Sequence, residues 1–255
     1  MIYIDRRKEI LDLIMRNGSV KVIELSQKYD VGEVTIRRDL KYLAQNYGIQ
    51  LTYGGALAGD IGGYKSIIET DLTKKRTLNL EAKKIIARKA ASLIEDGDTI
   101  ALNAGSTVEL IIDYLEDFKS LNVITLSLNV AAKASAKPFI DVYMPGGKLR
   151  SVSGAFYGSD AEAFLEKFSV DKAFFGVVAA CVKNGITHPV LEEVHINKVL
   201  SQISRNNYLV ADSSKFDKVS LIKMMDLDAF DIFITDDELQ EVYKSYAELN
   251  DIKII

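Results

Sequence analysis

Between positions 34 and 40 the chain reads Val34-Thr35-Ile36-Arg37-Arg38-Asp39-Leu40. At helical spacing this stretch has one way to fold: Ile36, Leu40 and Leu43 fall at i, i+4 and i+7 and line a single apolar stripe. Thr35, Arg37, Arg38 and Lys41 lie off that stripe, Arg37 four residues before Lys41. Such an outer face suits a DNA groove. Guanidinium forks pair with phosphates or guanine edges, and the threonine methyl and hydroxyl meet bases or backbone. Alone, the pattern equally describes a surface helix with solvated charges, so the flanking sequence decides.

Ahead of it, Ile10, Leu11, Ile14 and Met15 recur at helical spacing, which predicts a helix from Asp5 to Asn17 stopped by Gly18. Val22, Leu25 and Tyr29 predict a second from Lys21 to Asp30, and the short Val31-Gly32 connection delivers the third, Thr35 to Tyr42. Three helices with a tight turn before the last form a helix-turn-helix. After Gly48, the run Ile49-Gln50-Leu51-Thr52-Tyr53 and then Gly54-Gly55-Ala56 reads as a small β wing.

Charge agrees with that division. Residues 1–56 hold 9 Lys and Arg against 7 Asp and Glu, and the rest holds 23 against 29, within a total of −4. A slightly basic head on an acidic body confines nucleic-acid contact to the N-terminus, and so small an excess calls for more than one copy of the head. Cys181 is the only cysteine, which excludes an internal disulfide or a thiolate zinc site and fits a reducing cytoplasm. With His188 and His195 the only histidines, no metal site and no cofactor are expected. Both histidines read as surface or hydrogen-bonded groups, Cys181 as a small buried hydrophobe, and Phe174-Phe175 as core. Charges stand at Asp5, Arg6 and Arg7 where a signal peptide would be apolar, and no apolar run approaches the roughly 18 residues of a membrane span. The expectation is a cytoplasmic protein without a membrane segment.

Residues 57–75 read as a linker. The glycines of Ala58-Gly59-Asp60-Ile61-Gly62-Gly63 serve either a plain spacer or a hinge for the head. From 76 to 255 the pattern changes. An amphipathic run, Leu80 to Glu95, turns Ile85, Ile86, Ala90 and Leu93 inward and ends at Gly97. Short β-rich runs follow at Thr99–Leu102, Asn122–Leu126, Ile140–Met144, Lys172–Val178, Tyr208–Ala211, Ile232–Thr235 and Ile252–Ile255, with helical patterns between most of them. Strands alternating with helices predict an α/β fold with a mostly parallel sheet, which binds ligands at the carboxyl ends of its strands. The whole is a small winged helix-turn-helix domain (1–56) joined to a larger α/β domain (76–255).

Candidate ligand residues stand at those strand ends. Gly105-Ser106-Thr107 follows the first strand and opens a helix from Val108 to Leu115, offering amides and two hydroxyls to an anion, or simply capping the helix. Ser127 and Asn129 follow the second strand, Gly146-Gly147-Lys148 the third. In Asp212-Ser213-Ser214-Lys215-Phe216, Lys215 neutralises an anion and Asp212 accepts from sugar hydroxyls, unless the segment is a plain turn. Gly185-Ile186-Thr187-His188-Pro189 leads to Glu192-Glu193 at a helix start, where Glu193 either binds or caps.

Val31, Thr35-Ile36-Arg37-Arg38-Asp39-Leu40 and Gly54-Gly55-Ala56 together resemble the winged head of DeoR-type bacterial transcriptional regulators. The body resembles their effector-sensing domain at Arg76, Asn79 and Lys83, Gly105-Ser106-Thr107, Gly146-Gly147, Asp171-Lys172-Ala173-Phe174-Phe175-Gly176, Asp212-Ser213-Ser214-Lys215-Phe216 and Thr235-Asp236. Four positions depart from the family pattern: Gly32 where Ser is usual, Leu51 where an Arg is usual, Asn103 for Asp and Asn197 for Lys. The resemblance implies a sensor fold similar to ribose-5-phosphate isomerase. It also implies a repressor of a sugar-metabolism operon, a homo-oligomer (dimer or tetramer) partnered by double-stranded operator DNA and a phosphorylated sugar. Thr35, Arg37, Arg38 and Lys41 would then contact DNA. Gly105, Ser106, Thr107, Ser127, Gly146, Gly147, Glu193, Asp212 and Lys215 would hold the effector, with no catalytic residue. Two other classes compete: a sugar-phosphate isomerase-like enzyme using Glu193 or Asp212 as base, and a module whose head meets a protein.

Overall fold

The structure, a computed structural model, describes residues 3–17, 19–47, 49–57, 65–66 and 72–255. Gly18, Gly48 and the glycines at 59, 62 and 63 lie outside the described residues, as does the side chain of Met15.

The head runs α1 (Tyr3–Asn17), β1 (Ser19–Lys21), α2 (Val22–Tyr29), α3 (Glu33–Tyr47), β2 (Gln50–Thr52) and β3 (Gly55–Leu57). Ile10, Ile14, Leu25, Ile36, Leu40 and Leu43 are all buried in one cluster, as the helical spacing predicts. Helix α3 is longer at both ends than its apolar stripe. It starts on the Gly32 carbonyl, which accepts from the N–H groups of Thr35 (2.9 Å) and Ile36 (3.3 Å). Asp30 closes α2 in the left-handed region (φ 50°), its N–H on the Ser26 carbonyl. The wing has a third strand that the sequence reading lacks: β3 pairs antiparallel with both β1 and β2, so Ala56 faces Val20 on one side and Leu51 on the other. That close approach demands glycine next door, since a Cβ on Gly55 would lie 2.0 Å from the Val20 carbonyl oxygen.

Next come β4 (Lys65–Ser66), α4 (Leu72–Thr77), α5 (Leu80–Ala91), β5 (Thr99–Leu102), α6 (Ser106–Ile111), β6 (Leu121–Thr125), α7 (Leu128–Ala134) and β7 (Ile140–Tyr143). After these follow β8 (Lys148–Arg150), β9 (Ala155–Tyr157), α8 (Ser159–Leu165), β10 (Val170–Gly176), β11 (Ala179–Cys181), β12 (Gly185–His188) and α9 (Leu191–Gln202). The chain closes with β13 (Ser204–Val210), β14 (Lys218–Val219), β15 (Ile222–Met225), β16 (Ile232–Ile234), α10 (Glu241–Leu249) and β17 (Lys253–Ile254).

Seven strands form one parallel sheet in the order β17-β16-β13-β10-β5-β6-β7. They are the seven β-rich runs of the sequence. Both faces of the central strands are covered, which is why β5 and the Ala173–Phe175 and Tyr208–Val210 stretches read as continuous apolar runs, whereas the edge strand β7 alternates. Ile86, Ala87 and Ala90 of α5, Val108 and Ile111 of α6 and Val130 of α7 pack on one face with Ile100, Leu102 and Phe174. On the other, α8, α9 and α10 pack Leu165, Leu200 and Tyr243 near Ala101, Ala173 and Phe175. Phe174 and Phe175 are each fully buried, on opposite faces.

One inward assignment is corrected. Ile85 is 49 % exposed, because Lys83, Ile86, Ala87, Ala90, Ala91 and Ile94 already fill the inward stripe of that run and leave Ile85 off it. From β5 the chain steps outward to β6 and β7, then crosses to β10 and steps the other way. The β5/β10 boundary is therefore the topological switch point, where an open parallel sheet leaves a crevice beyond its strand ends.

Candidate functional site

Two surfaces meet the requirements for binding. On the head, Val34, Arg37, Arg38 and Lys41 are all exposed and lie at i, i+3, i+4 and i+7 of α3, opposite its buried stripe, with Thr35 half-buried at the edge. Arg37 is paired to Glu33 one turn back at 3.3 Å. Arg38 and Lys41 have no ion-pair partner among the described residues. The motif's acid has a different task from its bases. Asp39 is buried and clamped by two arginines of α1, Arg6 Nε on Oδ2 and Arg7 Nε on Oδ1, each at 2.7 Å. Arg7 also covers the Tyr42 ring at 4.1 Å. So Asp39 fixes the angle at which α1 holds α3, a role the sequence reading left blank. At the wing turn, Tyr53 is fully exposed and Leu51 half so.

On the body, a cavity of about 540 Å³ opens at the β5/β10 switch point. Its floor is built by Asn103, the residue after β5. The Asn103 amide donates to the Gly176 carbonyl (3.0 Å) and to Asn197 Oδ1 (2.9 Å), while its Oδ1 accepts from the Gly176 N–H (2.9 Å). Asn197 in turn donates to the Glu193 carbonyl at 2.6 Å. The two asparagines that depart from the family pattern are thus partners of one another, and the buried floor is neutral. Gly105 lies close over Gly176, with 3.6 Å from a Cβ placed on Gly105 to the Gly176 Cα.

Positive charge gathers at the wall. Lys75, Lys215 and Lys218 line the cavity, and Lys83 lies buried behind them, its ammonium donating to the Lys75 carbonyl. Burial, and next the nearby Lys215 charge, lower the Lys83 pKa to about 8 although Asp212 opposes the shift. Asp212 is buried. Its Oδ1 accepts from the Asn79 amide (3.0 Å), from the Ser214 N–H (3.2 Å) and from the Ser214 hydroxyl, while its Oδ2 has no partner among the described residues. Opposite, Glu193 takes Arg150 at 3.0 Å on one oxygen and His188 at 3.3 Å on the other. Ser153, from the turn between β8 and β9, lines the cavity with a buried hydroxyl that has no hydrogen-bond partner among the described residues.

Of the residues expected at a ligand, Gly105, Ser106, Thr107, Glu193 and Lys215 are on the cavity wall, and Asp212 lies between wall residues Ala211 and Ser214. Ser127 is elsewhere: its hydroxyl accepts the Val130 N–H as the cap of α7. Gly146 and Gly147 occupy the exposed connection between β7 and β8 and do not reach the wall. Both assignments follow a strand beyond the switch point: β6 is next to β5, with Ser127 bridged to Ala155, and β7 is the outer edge of the sheet. His188, read as an ordinary histidine, is buried and faces the cavity. Ser153 carries no sequence signal, since only the fold of the β8–β9 turn brings it there. Arg76, matched above without a role, pairs with buried Glu109 at 2.9 Å and ties α4 to α6. No group of three or more potential metal ligands occurs among the described residues, and no described helix is long and apolar enough to cross a membrane.

Comparison with known proteins gives two family matches along the chain. The family model for the DeoR-like helix-turn-helix domain matches residues 6–61, and that for the DeoR C terminal sensor domain matches residues 78–237. The chain is 31 % identical to the HTH-type transcriptional regulator IolR of Bacillus subtilis, covering 98 % of this chain and 97 % of that one. It is 32 % identical to a putative aga operon transcriptional repressor of Escherichia coli O157:H7 (96 % and 92 % covered). A lactose phosphotransferase system repressor of Staphylococcus aureus is 33 % identical (97 % and 98 %). Among solved structures, ribose 5-phosphate isomerase A of Methanocaldococcus jannaschii is 20 % identical, covers 54 % of this chain and 55 % of its own, and gives a TM-score of 0.40. A likeness that low carries nothing over. The family models and the full-length relatives leave one assignment: the chain belongs to the DeoR family and is a DNA-binding transcriptional regulator.

Proposed function

We propose that this protein represses a sugar-metabolism operon, gripping double-stranded operator DNA with paired heads whose hold changes when a phosphorylated sugar fills the cavity. The observation that carries the reading is the stretch 218–221, which joins the cavity to the head. Lys218 lines the cavity, and Lys218 and Val219 pair in parallel with Lys65 and Ser66, between head and body. The Ser220 N–H donates to Oγ1 of Thr187, itself on the cavity wall, at 2.7 Å. Leu221 packs against the core of the head. A ligand held by Lys218 and Thr187 therefore bears directly on how the head is seated. Such coupling requires different ligand affinity in two arrangements of the protein.

The cavity suits an anionic sugar derivative. Lys75, Lys215 and Lys218 face a phosphate beside the hydroxyls of Ser106 and Thr107, and Ser153 and Glu193 face sugar hydroxyls. Asp212 steadies Asn79 and Ser214 behind them. Thr35, Arg37, Arg38 and Lys41 take the DNA, and a symmetric homo-oligomer matches two half-sites. Relatives named as repressors of an aga operon and of a lactose phosphotransferase system support repression and a sugar-linked operon. The surroundings of Glu193 and the floor count against an isomerase, which leaves Asp212 as the remaining candidate base. Glu193 has both oxygens engaged by Arg150 and His188, and the neutral Asn103–Asn197 floor offers no acid–base pair.

The test is thermal unfolding against sugar phosphates and their free sugars. A ligand present at about 100 times its dissociation constant stabilises the native protein by roughly 2.7 kcal/mol. A midpoint raised by one phosphorylated sugar and not by its free sugar is the expected result. No shift across the panel, or equal shifts from both forms, contradicts the phosphate assignment.

A further inference from the structure

The outward stripe of α3 contains one residue that neither folding nor charge explains. Val34 is 81 % exposed, whereas Ile36, Leu40 and Leu43 on the opposite side are at most 1 % exposed. Its neighbours one turn on, Arg37 and Arg38, and Lys41 beyond them, are cations. Valine is a mediocre helix former with a stiff, β-branched side chain, so local propensity does not select it at the second position of a helix. That position is nevertheless the part of a recognition helix that meets base edges, because the N-terminal turn enters the major groove.

An uncharged, rigid isopropyl group set among cations has one complement in the major groove. Base edges there present hydrogen-bond donors and acceptors, and the C5-methyl of thymine is the apolar exception. We propose that Val34 reads a thymine methyl in each operator half-site, making it a specificity-determining residue. Arg37, Arg38 and Lys41 fix the register, and Val34 discriminates thymine from cytosine, which lacks the methyl and presents an amine donor. The proposal rests on α3 being the DNA-reading helix.

The experiment is selection of binding sites from random double-stranded DNA by the full-length protein, followed by replacement of each thymine in the selected site with uracil. That exchange removes the methyl and leaves the pairing edge intact. For the unaltered protein, one thymine per half-site should lose affinity on this exchange, by roughly fourfold for one buried carbon. In Val34→Ala that position should become indifferent to the exchange, while Arg38→Ala should bind more weakly yet keep the sensitivity. With its exposed site and a better helix former in place, the alanine variant should fold as before, checked by its unfolding midpoint. Uracil tolerated at every thymine, or a sensitivity that persists in Val34→Ala, overturns the proposal and leaves DNA binding intact. A selection that returns no common site overturns the DNA-binding reading and the proposal together.

Discussion

Head and body both turn lysine and arginine toward an anion, and they do so in opposite ways. On α3 the cations are exposed, and among the described residues Arg37 alone of them pairs with an acid, Glu33. They act on a polyanion through screened, additive contacts, so salt sets the affinity. At the switch point Lys83 is buried, and Lys75, Lys215 and Lys218 are half-buried around a cavity of about 540 Å³. Burial there lowers the Lys83 pKa although Asp212 opposes the shift, and a cationic wall of this kind suits a small, strongly anionic guest. The scaffolds differ to match. The body carries its cavity on a seven-stranded sheet packed on both faces, whereas the head has one small core and uses the buried Arg6–Asp39–Arg7 clamp to set its reading helix. The lesson is that similar residues serve a long polyanion when exposed and a small one when enclosed.

The hardest way to break this comparison is to remove the clamp. Asp39→Ala leaves two arginines facing an apolar core and should destabilise the head by about 3–5 kcal/mol. Hydrogen exchange should report lost protection in α1 and α3 with the body's central strands unchanged. Joint loss in both would mean that the two parts are one cooperative unit. A smaller effect sharpens the electrostatic contrast. Arg38→Ala should cost about 1–3 kcal/mol in operator affinity if Arg38 reads a base, or lower the salt slope by about 1 if it holds a phosphate. Either way, the midpoint shift produced by a cavity ligand should stay the same. Unchanged operator binding would remove Arg38 from the interface.

The smallest effect is one of pH. Folded Lys83 loses its proton at about 8 and the unfolded chain at 10.5, so between these values the unfolded state binds more protons. The contribution of Lys83 to stability therefore rises with pH through that window, and below it the cost of the buried charge is felt in full. A bound phosphate ester keeps the proton on Lys83 and reverses the preference. With its own second pKa near 6, the ester's charge is constant above neutrality. Ligand affinity should fall a few-fold between pH 7.5 and 9.5, by calorimetry, and Lys83→Met should flatten the profile. An unchanged slope in that variant would place the titration elsewhere.

Much of this architecture was legible in the residues. β-rich runs marked all seven strands of the central sheet, the inner ones apolar because they are buried on both faces, and the Ile36, Leu40 and Leu43 spacing gave α3 its buried side. Paired short strands were not legible: β1, the β8–β9 hairpin and the β11–β12–β15 sheet run to three or four residues each, too short for a clear pattern, and β1 and β15 also pair with strands more than thirty residues away. At the cavity, Gly105, Ser106, Thr107, Glu193 and Lys215 follow from the rule that ligands gather at strand ends. That rule does not say which ends, and the same logic also picks Ser127, Gly146 and Gly147, which stand beyond β6 and β7 and off the wall of this cavity. Ser153 and the place of His188 at the cavity became visible only with the fold, and Lys83, matched in sequence without a role, showed its burial only there, because burial rather than spacing distinguishes them. Asp39 stood within the most telling motif of the chain, but nothing in its neighbours announced the two arginines some thirty residues away.

The most direct test of the account measures operator affinity of the full chain with and without the phosphorylated sugar that raises its unfolding midpoint. Coupling through residues 218–221 predicts a change of about 5- to 150-fold in DNA affinity, and by linkage the same factor in sugar affinity when DNA is bound. Saturating sugar that leaves operator affinity untouched would contradict it: the cavity and the head would then be two binding sites on one chain, and not a switch.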